Sequence, residues 1–591
     1  MKSKDHPPQS GNPAKTSGSA KAGGGAAKSG GHAGKGDAAK GETAQAQAQT
    51  QAQAQTSAQT LSQSLSPGAA IPAKALLGAT TLDKDLKKIA RVEAAAQAQG
   101  QVMARVGLAL LFLLAVWILT SMQPGAGFSP FVIAAAVVGG YMAMNIGAND
   151  VANNVGPAVG SRALTLTGAI LIAAIFETAG ALIAGGDVVA TISKGIIDPD
   201  LMPDAATFLT AMLAALLAAA LWLNLATFVG APVSTTHSIV GGVMGAGIAA
   251  TGFAAVNWPT MGAIAASWVI SPLMGGMIAA GFLYFLKITV LYKDDKIFAA
   301  KRWAPIVVAI MAGAFAMYLM NKGIANIYKA SWAEIIITGI AVYAAAWGAM
   351  RSHVFSRALN MENRRKSVHQ LFVVPLIFSA ALLSFAHGAN DVANAVGPLA
   401  AIVSVSDSGT IITKAAIPLW VMLVGAVGIS VGLMLFGPKL IRTVGQEITK
   451  LNPVRAFCVA LSAAITVIIA SALGLPVSST HIAVGGIFGV GFLREFLARR
   501  QLRAALNRSP LAAVEAGAHS GLATLKSVTP KLTVLNEQAA AKAHSKYRQR
   551  RLVRRQHAWS IAAAWIFTVP LTASLAGLLY HLMRALNVVA N

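Results

Sequence analysis

Three observations predict an all-α integral membrane protein of roughly 10–12 transmembrane spans, built as an inverted-repeat secondary transporter with discontinuous helices. Hydrophobic residues make up 55% of the 591-residue chain and charged residues only 12%, a balance foreign to a water-soluble surface. Apolar runs of about 17–25 residues recur without strand-like alternation, and helices of that length cross a hydrocarbon core of roughly 30 Å. The polar, Gly-rich segment GANDVANNVGP at 147–157 returns as GANDVANAVGP at 388–398, inside apolar sequence both times. Hydrocarbon has no water to satisfy a carboxylate and amides, so such segments belong where the protein buries them or lines a cavity.

Residues 1–80 are Ala, Gly, Gln, Ser and Lys in low-complexity order, including QAQAQTQAQAQT; too few large apolar side chains are present to drive collapse, and a disordered tail is expected. It does not read as a secretory signal, because the first apolar run starts near Val106. Residues 81–129 hold a basic flank and the first span, 130–253 a first repeat, and 254–370 connecting spans with basic loops. A second repeat occupies 371–493, a basic helical segment 494–557 and a final span 558–591. Asn149 and Asn390 are 241 residues apart and His237 and His481 are 244 apart, so the halves keep a near-constant offset and form an internal repeat.

The formal net charge of +25 could serve nucleic acid, yet Lys and Arg gather beside the spans at Lys84–Arg91, Lys287–Arg302, Arg351–Lys366 and Arg494–Arg555. That is the distribution of cytoplasmic loops, so no nucleic-acid partner is expected. Within the last cluster, KYRQRRLVRRQ reads as an ordinary topology-setting flank before a lipid-headgroup site. The pattern places the N-terminus in the cytoplasm and the two repeats in opposite orientations in a bacterial-type inner membrane. The single cysteine, Cys458, rules out an intramolecular disulfide.

Each motif has its own chemistry. Asn149, Asp150 and Asn153, repeated as Asn390, Asp391 and Asn394, offer amide and carboxylate oxygens to a coupling proton or a small cation, sodium being possible. Helix capping is their commoner role outside membranes. Gly156 and Pro157 are expected to interrupt the first of these helices. PVSTTHS at 232–238 and PVSSTH at 476–481 each place Pro at a first helical turn, then hydroxyls. Ser234, Thr235, Thr236, Ser478, Ser479 and Thr480 would join unpaired helix N–H groups in binding an oxyanion, loosely enough to release it. Back-bonding to their own helices is the structural alternative. The Gly-Gly pairs that follow would let helices pack closely. Glu177, ionisable and deep in an apolar run, is read as part of the cation pathway. His237 and His481 suit a proton relay or a buried bond to a carbonyl equally well. Arg162 and Lys194 are read as interfacial anchors. No P-loop lysine, HExxH or GxSxG pattern supports an enzyme, and no cofactor is expected.

With both GANDVAN copies, IFETAG, PVSTTH, FAHGANDVANAVGP and LPVSSTH, the chain resembles the inorganic phosphate transporter (PiT) family over most of 130–492. The resemblance implies symport of inorganic phosphate with sodium or protons. It matches the signature aspartates to Asp150 and Asp391 and a functional glutamate to Glu177. Around Ala460 the chain is apolar where related transporters can carry a glutamate. The tail and the final span lie outside the core implied by the resemblance. Proton coupling is the reading adopted here. Sodium coupling, sulfate as substrate, an uncoupled anion channel, a membrane scaffold and a homo-oligomer stay open.

Overall fold

In the computed structural model, residues 99–123, 130–229, 233–325, 328–408, 417–447, 451–507 and 555–588 are described. The tail at 1–80, the basic flank at 81–98, Pro232 and most of the 494–557 segment lie outside them. Twelve helices among these residues are long and apolar enough to cross a membrane, and the only β contact among them is an isolated bridge between Ile197 and Val256.

The first span, α1, covers Gln99–Ser121. Repeat one comprises α2 (Pro130–Asn149), α3 (Val151–Gly160), α4 (Leu166–Ala184), α5 (Gly186–Lys194), α6 (Ala205–Val229) and α7 (Thr235–Thr251). The connecting region holds α8 (Trp258–Leu286), α9 (Lys296–Tyr318), α10 (Trp332–Ala358) and α11 (Arg365–Leu371). Repeat two runs through α12 (Val373–Asp391), α13 (Ala393–Ser408), α14 (Leu419–Glu447), α15 (Pro453–Ala472) and α16 (Ser479–Asn507), and α17 (Arg555–Ala585) follows.

Two local expectations are corrected. The GANDVAN segments run through as single spans, Pro130–Gly160 and Val373–Ser408, with local irregularities at Asp150 and Val392, while Pro157 and Pro398 sit inside α3 and α13. Proline lacks an N–H, so Pro157 and Pro398 cannot donate to the carbonyls of Asn153 and Asn394 one turn earlier, yet each helix continues past them. In the hydroxyl motifs, Pro476 precedes its helix instead of sitting in the first turn, because Ser234 and Ser478 occupy the positions just before α7 and α16. Their hydroxyls accept from the N–H groups of His237 at 3.2 Å and His481 at 3.4 Å, satisfying donors that hydrocarbon would leave unpaired.

Glycine sets the packing. A Cβ on Gly147 would stand 1.9 Å from the Ile429 carbonyl oxygen and one on Gly388 2.1 Å from that of Glu177. A Cβ on Gly432 would meet the Met144 carbonyl at 2.0 Å, and one on Gly180 the Phe385 carbonyl at 2.0 Å. Since Phe385 and Met144 are again 241 residues apart, the crossing of α2 on α14 repeats the crossing of α12 on α4. The same device holds the hydroxyl helices. Gly245 of α7 abuts Ala573 of α17, whereas Gly485 and Gly489 of α16 abut Pro272 and Gly276 of α8. The final span, expected to lie outside the core, therefore packs against repeat one as α8 packs against repeat two; an apolar helix outside a bundle gives no sequence sign of such a role.

Replacing Gly485 by Ala, whose Cβ would fall 2.2 Å from the Pro272 carbonyl oxygen, should lower the melting temperature in detergent, with a cost of about 1–3 kcal/mol or more. Gly281→Ala, with nothing within 4 Å, should leave it unchanged or raise it, as read by fluorescence-detected thermal unfolding.

Candidate functional site

The N-termini of α7 and α16 meet in the buried interior. The Thr236 hydroxyl donates to the Val477 carbonyl at 3.0 Å, and the His237 and His481 rings stand edge to face with centroids 4.9 Å apart. Trp268 of α8 lies against His237 with centroids 3.9 Å apart and donates through Nε1 to the Pro476 carbonyl at 3.1 Å. Two helices thus direct their positive ends and first-turn hydroxyls into one buried volume.

Both signature aspartates face that volume. Asp150 Oδ2 accepts from Thr235 at 2.7 Å and its Oδ1 accepts from Thr480 at 3.0 Å. Asp391 Oδ2 accepts from Ser479 at 3.2 Å. The asparagines cross between repeats: Asn153 Nδ2 donates to Thr480 at 2.8 Å, and Asn394 Nδ2 donates to Thr235 at 3.3 Å and Thr236 at 3.2 Å. Asn390 ties α12 to the loop before α16, donating to Ser471 Oγ at 2.9 Å and the Leu475 carbonyl at 3.1 Å while accepting from Val477 N at 3.2 Å. Asn149 is buried beside Asp150, and its Nδ2 has no hydrogen-bond partner among the described residues. All thirteen sequence-predicted site residues except Glu177 therefore line or flank the meeting point of the helix ends. Arg162 and Lys194, expected as anchors, follow α3 and close α5 respectively.

Glu177 lies one contact further out, in a chain that the sequence reading did not assemble. It is fully buried, accepts from Asn154 Nδ2 at 2.8 Å, and meets His387 Nδ1 at 2.5 Å through its other oxygen. A proton must lie between the latter two atoms, since two lone pairs cannot face each other so closely. The opposite ring nitrogen of His387 stands 2.9 Å from Asp391 Oδ2. Side-chain atoms of Asp150, His387 and Asp391 come within 4.8 Å of one another. Ser471, Asn154 and above all His387 are the residues that sequence reading passed over. The available signal was position: His387 precedes Asp391 by one helical turn and so shares its face.

That chain joins Asn154 and Glu177 of the first repeat to His387 and Asp391 of the second, and it has no counterpart at the repeat-related positions. By the glycine crossings, Glu177 corresponds to Ile429; by the constant offset, His387 corresponds to Ile146 and Asn154 to Ala395. The next residues, Thr178 of α4 and Ser430 of α14, hydrogen-bond to each other at 2.8 Å. Access differs as well: Asn153 and Thr480 are half-buried, whereas Asn394 and Thr236 are buried. Two acceptors, Asp391 Oδ1 and Asn394 Oδ1, are buried without a donor among the described residues. Buried oxygens are ordinarily paired, and this pair is suited to a cation or a protonated ligand.

A family model described as the phosphate transporter family matches residues 146–576, reaching into α17. Two curated relatives both bear the name "Putative phosphate permease". The one from Helicobacter pylori strain 26695 is 47% identical over 522 residues, covering 84% of this chain and 98% of its own. The one from Haemophilus influenzae is 37% identical over 366 residues, covering 61% of this chain and 87% of its own. A solved structure, "The sodium-dependent phosphate transporter", superposes with a TM-score of 0.64 at 32% identity, covering 77% of this chain and all of that one. With the paired GANDVAN and hydroxyl motifs meeting in one buried site, this multi-pass membrane protein belongs to the phosphate transporter family.

Proposed function

We propose that the chain carries inorganic phosphate across the inner membrane by symport with a cation, most directly protons, with the N-terminus cytoplasmic and the repeats inverted. The observation that carries proton coupling is the Asn154–Glu177–His387–Asp391 chain. Imidazole flanked by two carboxylates passes protons readily, and a buried row of such groups, running from the first repeat into the second, leads to the aspartate beside the hydroxyls. Phosphate carries a charge of about −1.5 to −2 near neutral pH, and moving it against an inside-negative potential costs about 2.3 kcal/mol per charge per 100 mV. Cations taken up beside it offset that cost.

In this reading, Thr235, Ser479 and Thr480 exchange carboxylate partners, and Thr236 the Val477 carbonyl, for phosphate oxygens, with Ser234, Ser478 and the helix N–H groups completing the cradle. A bare oxyanion would be repelled by Asp150 and Asp391. Protonation of these carboxylates, or a cation held by them with Asn149, Asn153, Asn390 and Asn394, therefore has to accompany its binding. That requirement is the coupling. Alternating access follows from the crossed contacts. Opening one side releases Asn153 from Thr480, and opening the other releases Asn394 from Thr236, while the cradle stays between them. Sodium is the second reading, favoured by the oxygen-rich aspartate and asparagine set and by the likeness to a sodium-dependent phosphate transporter. An uncoupled channel would have no use for a site whose substrate and carboxylates repel each other.

Purified protein in liposomes should accumulate labelled phosphate under an imposed pH gradient, without sodium and with little competition from sulfate. Accumulation driven only by sodium would replace the proton reading, and equal competition by sulfate would replace the substrate. Asp150→Asn and Asp391→Asn should each abolish concentrative uptake while eluting as folded protein; wild-type uptake by both would remove their assigned role. His387→Gln should reduce pH-driven accumulation at least tenfold yet retain phosphate exchange at equal pH on both sides. Parallel loss of both activities would make His387 a structural residue.

A further inference from the structure

Away from the transport site, a cavity of about 290 Å³ opens between α8, α11, α15 and α16. Lys287, Arg365, His369, Arg455 and Arg494 line it, and no acidic residue does. Lys287, His369, Arg455 and Arg494 are half-buried, and none of the lysine and arginine side chains forms an ion pair with a carboxylate among the described residues. The N-terminus of α15 opens at the same place. Asn452 caps it by accepting from Arg455 N at 3.0 Å, and Asn452 Nδ2 also contacts His369 Nε2 at 2.9 Å. Burial, followed by the repulsion of Arg455 and Arg365, holds the His369 imidazole below its ordinary pKa.

Like charges gathered beside the positive end of a helix repel one another and persist at least cost when an anion sits among them. Arginine favours phosphate oxygens because its planar fork donates two hydrogen bonds at once. We propose that this cavity binds a phosphate group, as a lipid headgroup ester or in a soluble phosphate compound, at a site separate from the transport site. Basic pockets between membrane helices are well suited to such headgroups. Arg494 lies 15 residues after Ser479 on α16, about 22 Å along the axis, and Arg455 begins the helix that ends near Ser471. An occupant would clamp together the two helices that bring repeat two's donors to the transport site.

Native mass spectrometry of delipidated protein tests this in two arms, one titrated with dioleoylphosphatidylglycerol against dioleoylphosphatidylcholine and the other with inorganic phosphate. The transport site is common to all variants, so differences between them report the cavity. If the source is lipid, wild type should prefer phosphatidylglycerol by about tenfold or more, and Arg455→Gln with Arg494→Gln should erase the preference. If the source is soluble, the same pair should remove one bound phosphate. Arg455→Lys with Arg494→Lys, which keeps the charge and guards against misfolding, should keep most of the binding. Wild-type behaviour of the Gln pair in both arms, or no preference for either ligand in wild type, overturns the proposal.

Discussion

Two carboxylates buried at membrane depth constrain everything else in this molecule. Asp150 and Asp391 are almost wholly inaccessible, and an uncompensated charge there would be prohibitive. The protein meets this by turning the N-termini of α7 and α16 toward them and placing first-turn hydroxyls within reach. Bringing two helix ends together demands close backbone approach on every side, which explains the glycines of α7 and α16 facing α17 and α8. Site and scaffold are consequences of one electrostatic problem.

Duplication solves it twice and joins the solutions. Each repeat's aspartate accepts from its own hydroxyl helix, Asp150 from Thr235 and Asp391 from Ser479, Asp150 also from Thr480 of the other, while each repeat's second asparagine reaches the hydroxyls of the other. The halves are thereby held together by hydrogen bonds among the same side chains that surround the two aspartates. The departures from the repeat fall beside the aspartates. Asn154 and Glu177 reach Asp391 through His387, and the equivalent positions hold Ala395, Ile429 and Ile146. The imidazole of His387 between two carboxylates thus has an apolar counterpart, Ile146.

Much of this was legible in the chain. The apolar runs gave helices of nearly the expected bounds, as at Ala205–Val229, because spanning length is set by the bilayer. The duplicated polar motifs come together in one buried cluster, because lipid penalises polar groups that have no partner. Two kinds of feature were hidden. One was local: Pro157 sits within its helix and Ser478 takes the cap position, since caps and tolerated prolines depend on what neighbouring helices supply. The other was the partnership of Glu177 with His387, which are 210 residues apart. No periodicity relates them; only the crossing of α4 on α12 at Gly388 brings them together. The docking of α17 was equally silent, since any apolar helix could fill that face.

The most direct test is a structure determined with arsenate, which has the shape of phosphate and an anomalous signal that locates it. The account predicts a peak between the ends of α7 and α16, within hydrogen-bonding distance of the Thr235, Thr236, Ser479 and Thr480 hydroxyls and beside Asp150 and Asp391. A peak confined to the arginine-lined cavity, or none between the helix ends at saturating arsenate, would contradict it.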